Sequence, residues 1–300
     1  MLQPRVGSAD YLVYTKLQYT GHSRTGGLFV LSKDGKTRRL GTVGGQAGGF
    51  SLAGSILVYY QATSAYPNGA SFWTDLKTGQ SGVIPATDDV VAAAPDGWVT
   101  RPATTDGTWS LVDQSRQGAA RPLGQPFPQS DQPLVFTGAD QLVTYSLYTD
   151  DSDGNGELRA MSFDDPGTYR TLIATAPHAD NDGYRCPSVT AKYVVCRTGT
   201  AKGKGEIRLI PLDGSPQVKT TKGCPEWFSP AVMHHSAAWQ GCGDKLTVLS
   251  PDGKVHVSAH KYGEFMVSAF GKLAVPTLSG GKIELVSSAN GTPKTLVSTK

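Results

Sequence analysis

Asp151, Asp153 and Asn155 stand at alternate positions in the stretch TDDSDGNGEL (149–158), and Gly156 follows them directly. Oxygen-bearing side chains at loop positions 1, 3 and 5, with glycine at 6 for the sharp turn, are the pattern of a calcium loop. The closing ligand is missing. A hand-type loop wants a bidentate Glu at position 12, where Ser162 stands, and a hairpin-type loop wants an acid at position 9, where Arg159 stands. Two readings stay open: a solvated polar hairpin loop, or a weak structural calcium site completed by Asp150 or a distant loop. Calcium is the one cofactor that the sequence suggests.

The four cysteines form two local pairs, Cys186 with Cys196 and Cys224 with Cys242. A hairpin turning near Ala191 makes 186 face 196, and one turning near Met233 makes 224 face 242. Facing residues of antiparallel strands lie about 4.5–5.5 Å apart, within disulfide reach. Neither spacing is that of a zinc ribbon or finger. Two disulfides are expected, with free buried thiols as the alternative, and disulfides imply an oxidising, extracytoplasmic compartment. The opening residues, MLQPRVGSAD, lack the charged and apolar regions of a signal peptide. Between a cytosolic protein and a mature secreted form with an added start Met, the cysteines favour the secreted form. No apolar run approaches the roughly 18–20 residues that span a bilayer, so no membrane insertion is expected.

Candidates for catalysis are few. His22, His178, His234, His235, His256 and His260 form no triad by spacing, and no G-x-S-x-G motif or phosphate-cradling glycine loop occurs. The expectation is a protein without catalytic activity. The enzyme alternative, a hydrolase or lactonase, rests on loop residues such as His178, Asp180 and Asp182.

The elements that must position these residues follow from composition and repetition. The chain has 300 residues, 36 glycines and 18% charged residues, with few long Ala/Leu/Glu/Lys runs, a composition of strands and turns. A net charge of +3 with scattered Lys and Arg gives no footprint for nucleic acid. Turn signals recur at Asp34-Gly35, Thr78-Gly79, Gln117-Gly118, Pro166-Gly167, Asp213-Gly214, Asp252-Gly253 and Asn290-Gly291. The interval is about 40–45 residues, and each signal lies between two short apolar runs. A second hairpin precedes each pair, as in FSLAGSILVYYQ (50–61). Four antiparallel strands per repeat and seven repeats predict an all-β, seven-bladed β-propeller. One such sheet cannot bury both of its faces alone, whereas a closed ring of seven buries them all. The expected blades of this single domain are 1–43, 44–87, 88–125, 126–176, 177–221, 222–260 and 261–300, with the ring closed without a swapped strand.

APDGWVT (94–100) and LSPDGKVHV (249–257) resemble the PDG-centred repeats of TolB-like and WD40-like propellers. By size, blade count and cystine content the chain is also similar to secreted bacterial propellers of the dispase autolysis-inducing kind. That resemblance implies an extracellular protein partner such as a protease.

The expected innermost strands, QPRVGS, GGFSLA, VVAAA, PLVFTG, PSVTA, SPAVM and FMVSAF, contain no Asp, Glu, His or Cys. A channel lined by small and apolar groups offers no metal ligands or general base. Long loops accumulate on one rim, where second strands pass to third strands and blade passes to blade. Tyr66, Tyr184, Arg185, Glu226, Trp227 and Tyr262 are the candidate binding residues there, because aromatic and arginine anchors dominate interfaces. The expected function is a secreted, monomeric binding propeller with a protein partner; a lectin-like glycan binder is the alternative.

Overall fold

The computed structural model of the chain describes residues 1–20, 23–44, 47–86, 89–102, 108–127, 134–138, 141–147, 155–177, 185–198, 205–223, 230–289 and 291–299. Within them the strands form seven four-stranded antiparallel sheets in chain order. Blade 1 holds β1 (Leu2–Gly7), β2 (Tyr11–Thr20), β3 (Ser23–Ser32) and β4 (Thr37–Gly44). Blade 2 holds β5 (Gly48–Ala53), β6 (Ile56–Gln61), β7 (Ala70–Asp75) and β8 (Ser81–Val83). Blade 3 holds β9 (Val90–Ala94), β10 (Gly97–Thr100), β11 (Trp109–Ser115) and β12 (Ala120–Phe127). Blade 4 holds β13 (Leu134–Gly138), β14 (Gln141–Leu147), β15 (Asn155–Ser162) and β16 (Tyr169–Pro177). Blade 5 holds β17 (Arg185–Val189), β18 (Tyr193–Thr198), β19 (Glu206–Pro211) and β20 (Val218–Thr220). Blade 6 holds β21 (Ala231–Met233), β22 (Ser236–Gln240), β23 (Lys245–Leu249) and β24 (Val255–Lys261). Blade 7 holds β25 (Val267–Ala269), β26 (Lys272–Pro276), β27 (Lys282–Val286) and β28 (Lys294–Ser298). The chain is a seven-bladed β-propeller.

Alternation along each strand sends successive side chains to opposite junctions. On β2, Leu12 and Tyr14 face blade 7, while Val13 faces blade 2. On β14, Leu142 packs with blade 3 and Val143 with blade 5. Every junction between neighbouring blades has its own buried apolar cluster, the junction of blade 7 with blade 1 included. Burial at these junctions, not within any one sheet, holds the ring.

The ring closes without a swapped strand, as expected. Leu2 N–H donates to the Gly280 carbonyl at 2.7 Å, and Phe270 N–H donates to the Ser8 carbonyl at 2.7 Å. Neighbouring inner strands are tied by serine: Ala93 N–H donates to Ser51 Oγ at 2.9 Å, and Val232 N–H donates to Ser188 Oγ at 3.0 Å. Ser51 Oγ also lies 2.8 Å from Thr137 Oγ1, so blades 2 and 4 meet in front of blade 3. The inner strand of blade 3 ends in Ala92, Ala93 and Ala94, whose short side chains leave room for that contact.

Gly138 makes the closest of these approaches. A Cβ there would lie 2.0 Å from the Val189 carbonyl oxygen of blade 5, which is backbone and cannot rotate away. Gly138→Ala is expected to lower stability by about 1–3 kcal/mol, read as a fall in the urea midpoint at unchanged slope.

One sequence expectation changes in detail: Asp-Gly between paired strands suggests a two-residue hairpin corner. Of the two PDG copies, residues 249–254 form a third-to-fourth-strand turn, but Pro95–Asp96 connects first to second strand in blade 3. The structural counterpart of LSPDGK is LSKDGK (31–36). In both, the serine N–H donates to the lysine carbonyl at 3.0 Å and the glycine N–H donates back to the serine carbonyl at 2.9 Å. Only the glycine is left-handed, with φ 86° at Gly35 and 80° at Gly253. These are therefore type I turns closed by a left-handed glycine, not the two-residue turns that Asp-Gly suggests. Two-residue corners occur instead between first and second strands, as at Phe270-Gly271, where both φ values are positive.

Candidate functional site

The candidate binding residues of the sequence separate into four groups. Tyr184, Glu226 and Trp227 lie outside the described residues, and so do Asp151, Asp153 and Cys224. Arg185 and Asn155 begin β17 and β15, where their backbones pair with Arg197 and Pro177. Tyr66 is 41% exposed in the loop between β6 and β7.

Tyr262 corrects an expectation. It is only 2% exposed and packs with Leu246, Val248, Met266 and Leu273 at the junction of blades 6 and 7, so it cannot anchor a partner. A large ring directly after a strand gains more by folding back onto the core than by standing in solvent. Its hydroxyl has no hydrogen-bond partner among the described residues. Burial first, then the nearby Glu284 carboxylate, pushes its pKa up to about 12. The folded state holds this proton more tightly than the unfolded chain, whose tyrosines titrate near 10. The stability contribution is thus whole below about pH 10 and is lost as pH rises towards 12. Tyr262→Phe is expected to remove one late-ionising tyrosine from the ultraviolet titration and to flatten the fall of stability above pH 10.

Cys186 and Cys196 are joined across β17 and β18, with Cα atoms 4.0 Å apart. Cys242 is disulfide-bonded as well. The innermost strands are less bland than expected. Cys186 belongs to β17 and Arg5 to β1; the Cys186 side chain is buried in the junction of blades 4 and 5, while Arg5 adds a cation to an inner strand. Among the described residues, no group of three or more His, Cys, Asp or Glu side chains could hold a metal ion.

Arg5 opens a continuous feature of the loop-bearing face. Its guanidinium lies 5.5 Å from the centre of the Phe50 ring and 5.9 Å from that of Phe265, and its Nε donates to Thr15 Oγ1 at 3.0 Å. Phe50 stacks on Tyr59 at 5.8 Å, and Tyr59 stacks on Phe72 at 5.6 Å. Tyr66 meets Phe72 edge-on at 5.9 Å. Strand register builds this row: Tyr59 pairs with Phe72 across β6 and β7, and the irregularity between Gly48 and Ser51 sets Phe50 beside Tyr59.

The row runs from the inner strand of blade 1, across blade 2, to the loop before β7. Its two ends are open: Phe265 is 50% exposed and holds a left-handed backbone, φ 69°, while Tyr66 stands out at the other end. Burial raises the pKa of the Tyr59 hydroxyl in the middle. The loop carrying Tyr66 is fixed by the Tyr60 hydroxyl, which donates to the Asn68 carbonyl at 2.6 Å, and by mutual bonds of Thr63 and Tyr66. Aromatic pairs contribute about 0.5–1.5 kcal/mol each beyond burial, so the band is preorganised. Such a surface offers apolar contact, ring faces and guanidinium donors, the chemistry of binding.

Sequence reading found Tyr66 and missed Arg5, Phe50, Tyr59, Phe72 and Phe265. The available signal was register: in FSLAGSILVYYQ and ASFWTD, aromatics fall at positions that face one another once β5, β6 and β7 are aligned.

No protein-family model matches the chain, and no curated protein sequence matches it. Among solved structures, the chain is similar to the β-propeller domain of the Trilobed protease from Pyrococcus furiosus, described as having an open velcro topology, with TM-score 0.63 and 8% identity over 98% of this chain and 96% of that one. It is similar to an acylaminoacyl peptidase from Pyrococcus horikoshii, TM-score 0.59 and 10% identity, over 99% of this chain and 52% of that one. It is similar to TolB from Acinetobacter baumannii, TM-score 0.51 and 12% identity, over 84% of this chain and 64% of that one. The chain thus spans about half the length of the peptidase, and at these identities the likeness is one of fold: a seven-bladed β-propeller.

Proposed function

We propose that this propeller is a non-catalytic binding module that works outside the cell and holds a protein partner against the band Phe265–Arg5–Phe50–Tyr59–Phe72–Tyr66. The observation that carries this reading is the band itself, a row of touching rings with exposed aromatics at both ends. The cystine between Cys186 and Cys196 supports an oxidising compartment. No helix is long and apolar enough to cross a membrane among the described residues.

The partner class favoured is an extracellular protease, as the resemblance to secreted bacterial propellers implies, and contact would change its activity or stability. The propellers of the Trilobed protease and of the acylaminoacyl peptidase belong to proteases by name, which fits a protease-associated role. The test is capture from the extracellular pool with wild type and with Tyr66→Ala/Phe265→Ala, followed by titration of the purified partner. The double variant removes exposed rings only, so it should fold normally and bind at least tenfold more weakly, since aromatic anchors of an interface contribute about 2 kcal/mol or more. Equal affinity of both forms would exclude the band.

A further inference from the structure

A groove of about 280 Å³ lies on blade 1, lined by Lys16, Gln18, Thr25, Gly27, Phe29 and Arg39, with Thr42 beside Arg39. By alternation it shares the side of the sheet that carries Tyr14 and Phe29, the side turned to blade 7. The aromatic band instead lies on blade 2 towards blade 1, so the two features are separate.

The groove has a built shape. Gly27 pairs with Lys16 on one side and Thr42 on the other, leaving a notch in the middle of three strands. The Phe29 ring lies over that notch, and a Cβ at Gly27 would come within 2.4 Å of it. Tyr14 stacks on Phe29 at 5.4 Å and holds the ring in place. Arg39 is positioned too: its Nη2 donates to Thr42 Oγ1 at 3.0 Å and its Nε to the Gly41 carbonyl at 3.4 Å. Among the described residues, no carboxylate pairs with Lys16 or Arg39.

We propose that this groove binds a hexuronate, a sugar ring bearing one carboxylate. Lys16 and Arg39 take the carboxylate through charge-assisted hydrogen bonds. Phe29 supports the apolar C–H face of the ring, and Gln18, Thr25 and Thr42 face its hydroxyls. The groove of about 280 Å³ has room for one such ring above Phe29. An acidic peptide side chain would use the two cations but neither the aromatic floor nor the hydroxyl-binding rim, which is why the sugar is favoured.

The test uses methyl β-glucuronide against methyl β-glucoside, which differ only in carboxylate against hydroxymethyl, with N-acetyl-glutamate amide as the peptide arm. Saturation-transfer NMR titrations at low salt give relative affinities for wild type, Arg39→Ala and Lys16→Ala. Both side chains are exposed, so the variants should keep the wild-type circular dichroism. The expected result is that wild type binds the glucuronide at least tenfold more tightly than the glucoside and the glutamate amide. Arg39→Ala should lose about tenfold or more, and Lys16→Ala severalfold. The proposal is overturned if wild type shows no transfer to the glucuronide up to its solubility limit. It is overturned equally if glucuronide and glucoside bind alike, if the glutamate amide matches the glucuronide, or if Arg39→Ala binds as wild type does.

Discussion

Trp239→Ala should cost about 3–5 kcal/mol, a large share of the roughly 5–15 kcal/mol that holds a domain folded. Trp239 is 0% exposed and fills the junction of blades 5 and 6 together with Val195, Ile207, Leu209 and Leu249. Its neighbours on β22, Ala237 and Ala238, are small, so nothing on the strand can collapse into the space it leaves. Its indole N–H also donates to the Gly223 carbonyl at 3.0 Å. Gly223 itself has φ 77°, and a Cβ there would touch Thr247 and the indole. Trp239→Phe keeps much of the volume but leaves the carbonyl unpaired, so it should fall between wild type and alanine. Urea unfolding followed by far-ultraviolet circular dichroism measures both. An alanine variant within about 1 kcal/mol of wild type would contradict this packing account.

Asp75→Ala should cost about 2–4 kcal/mol. Asp75 is 4% exposed at the end of β7, and its Oδ1 accepts from the Ser55 hydroxyl at 2.8 Å and from Lys77 N–H at 2.9 Å. Its Oδ2 accepts from Arg116 of blade 3 at 3.1 Å, so one carboxylate shapes a turn and ties two blades. Arg116 keeps a second partner, Asp96 at 3.0 Å, and lies over the Trp73 ring. The loss therefore comes mainly from the donors that Asp75 satisfies. Burial opposes ionisation here, but the hydrogen bonds from Ser55, Lys77 and Thr78 outweigh it and hold the pKa below the usual value. With the folded pKa depressed, this stability is present above about pH 4 and disappears as pH falls through the folded value. Asp75→Ala should accordingly show a shallower loss of stability as pH falls below about 4, and an unchanged acid profile would argue against the network.

The blades were legible because apolar alternation and turn glycines are local signals, and a ring is the way seven such sheets bury both faces. Cys186 and Cys196 were legible for the same reason, since facing positions of a hairpin follow from counting about its turn. The band was only partly legible. Tyr66 announced itself as an aromatic in a long loop, but Phe50, Tyr59 and Phe72 meet through register and a strand irregularity, which no single segment reveals. Arg5 looked like one polar residue in an inner strand; its place between two phenylalanines depends on blades 1, 2 and 7 coming together. Tyr262 misled because a tyrosine beside glycine at a strand end reads as loop, whereas a junction cluster claims it. The blade 1 groove depends on a missing side chain at Gly27, and absence of a side chain inside a strand reads first as a weak strand position.

The binding role of the band is tested most directly by hydrogen exchange of the propeller alone and in complex with its captured partner. Protection is expected at residues 48–72 and 264–267, which carry Phe50, Tyr59, Tyr66, Phe72 and Phe265, with no change in the opposite-face turns 32–36 and 250–254. Protection confined to those turns, with the band unchanged, would contradict it.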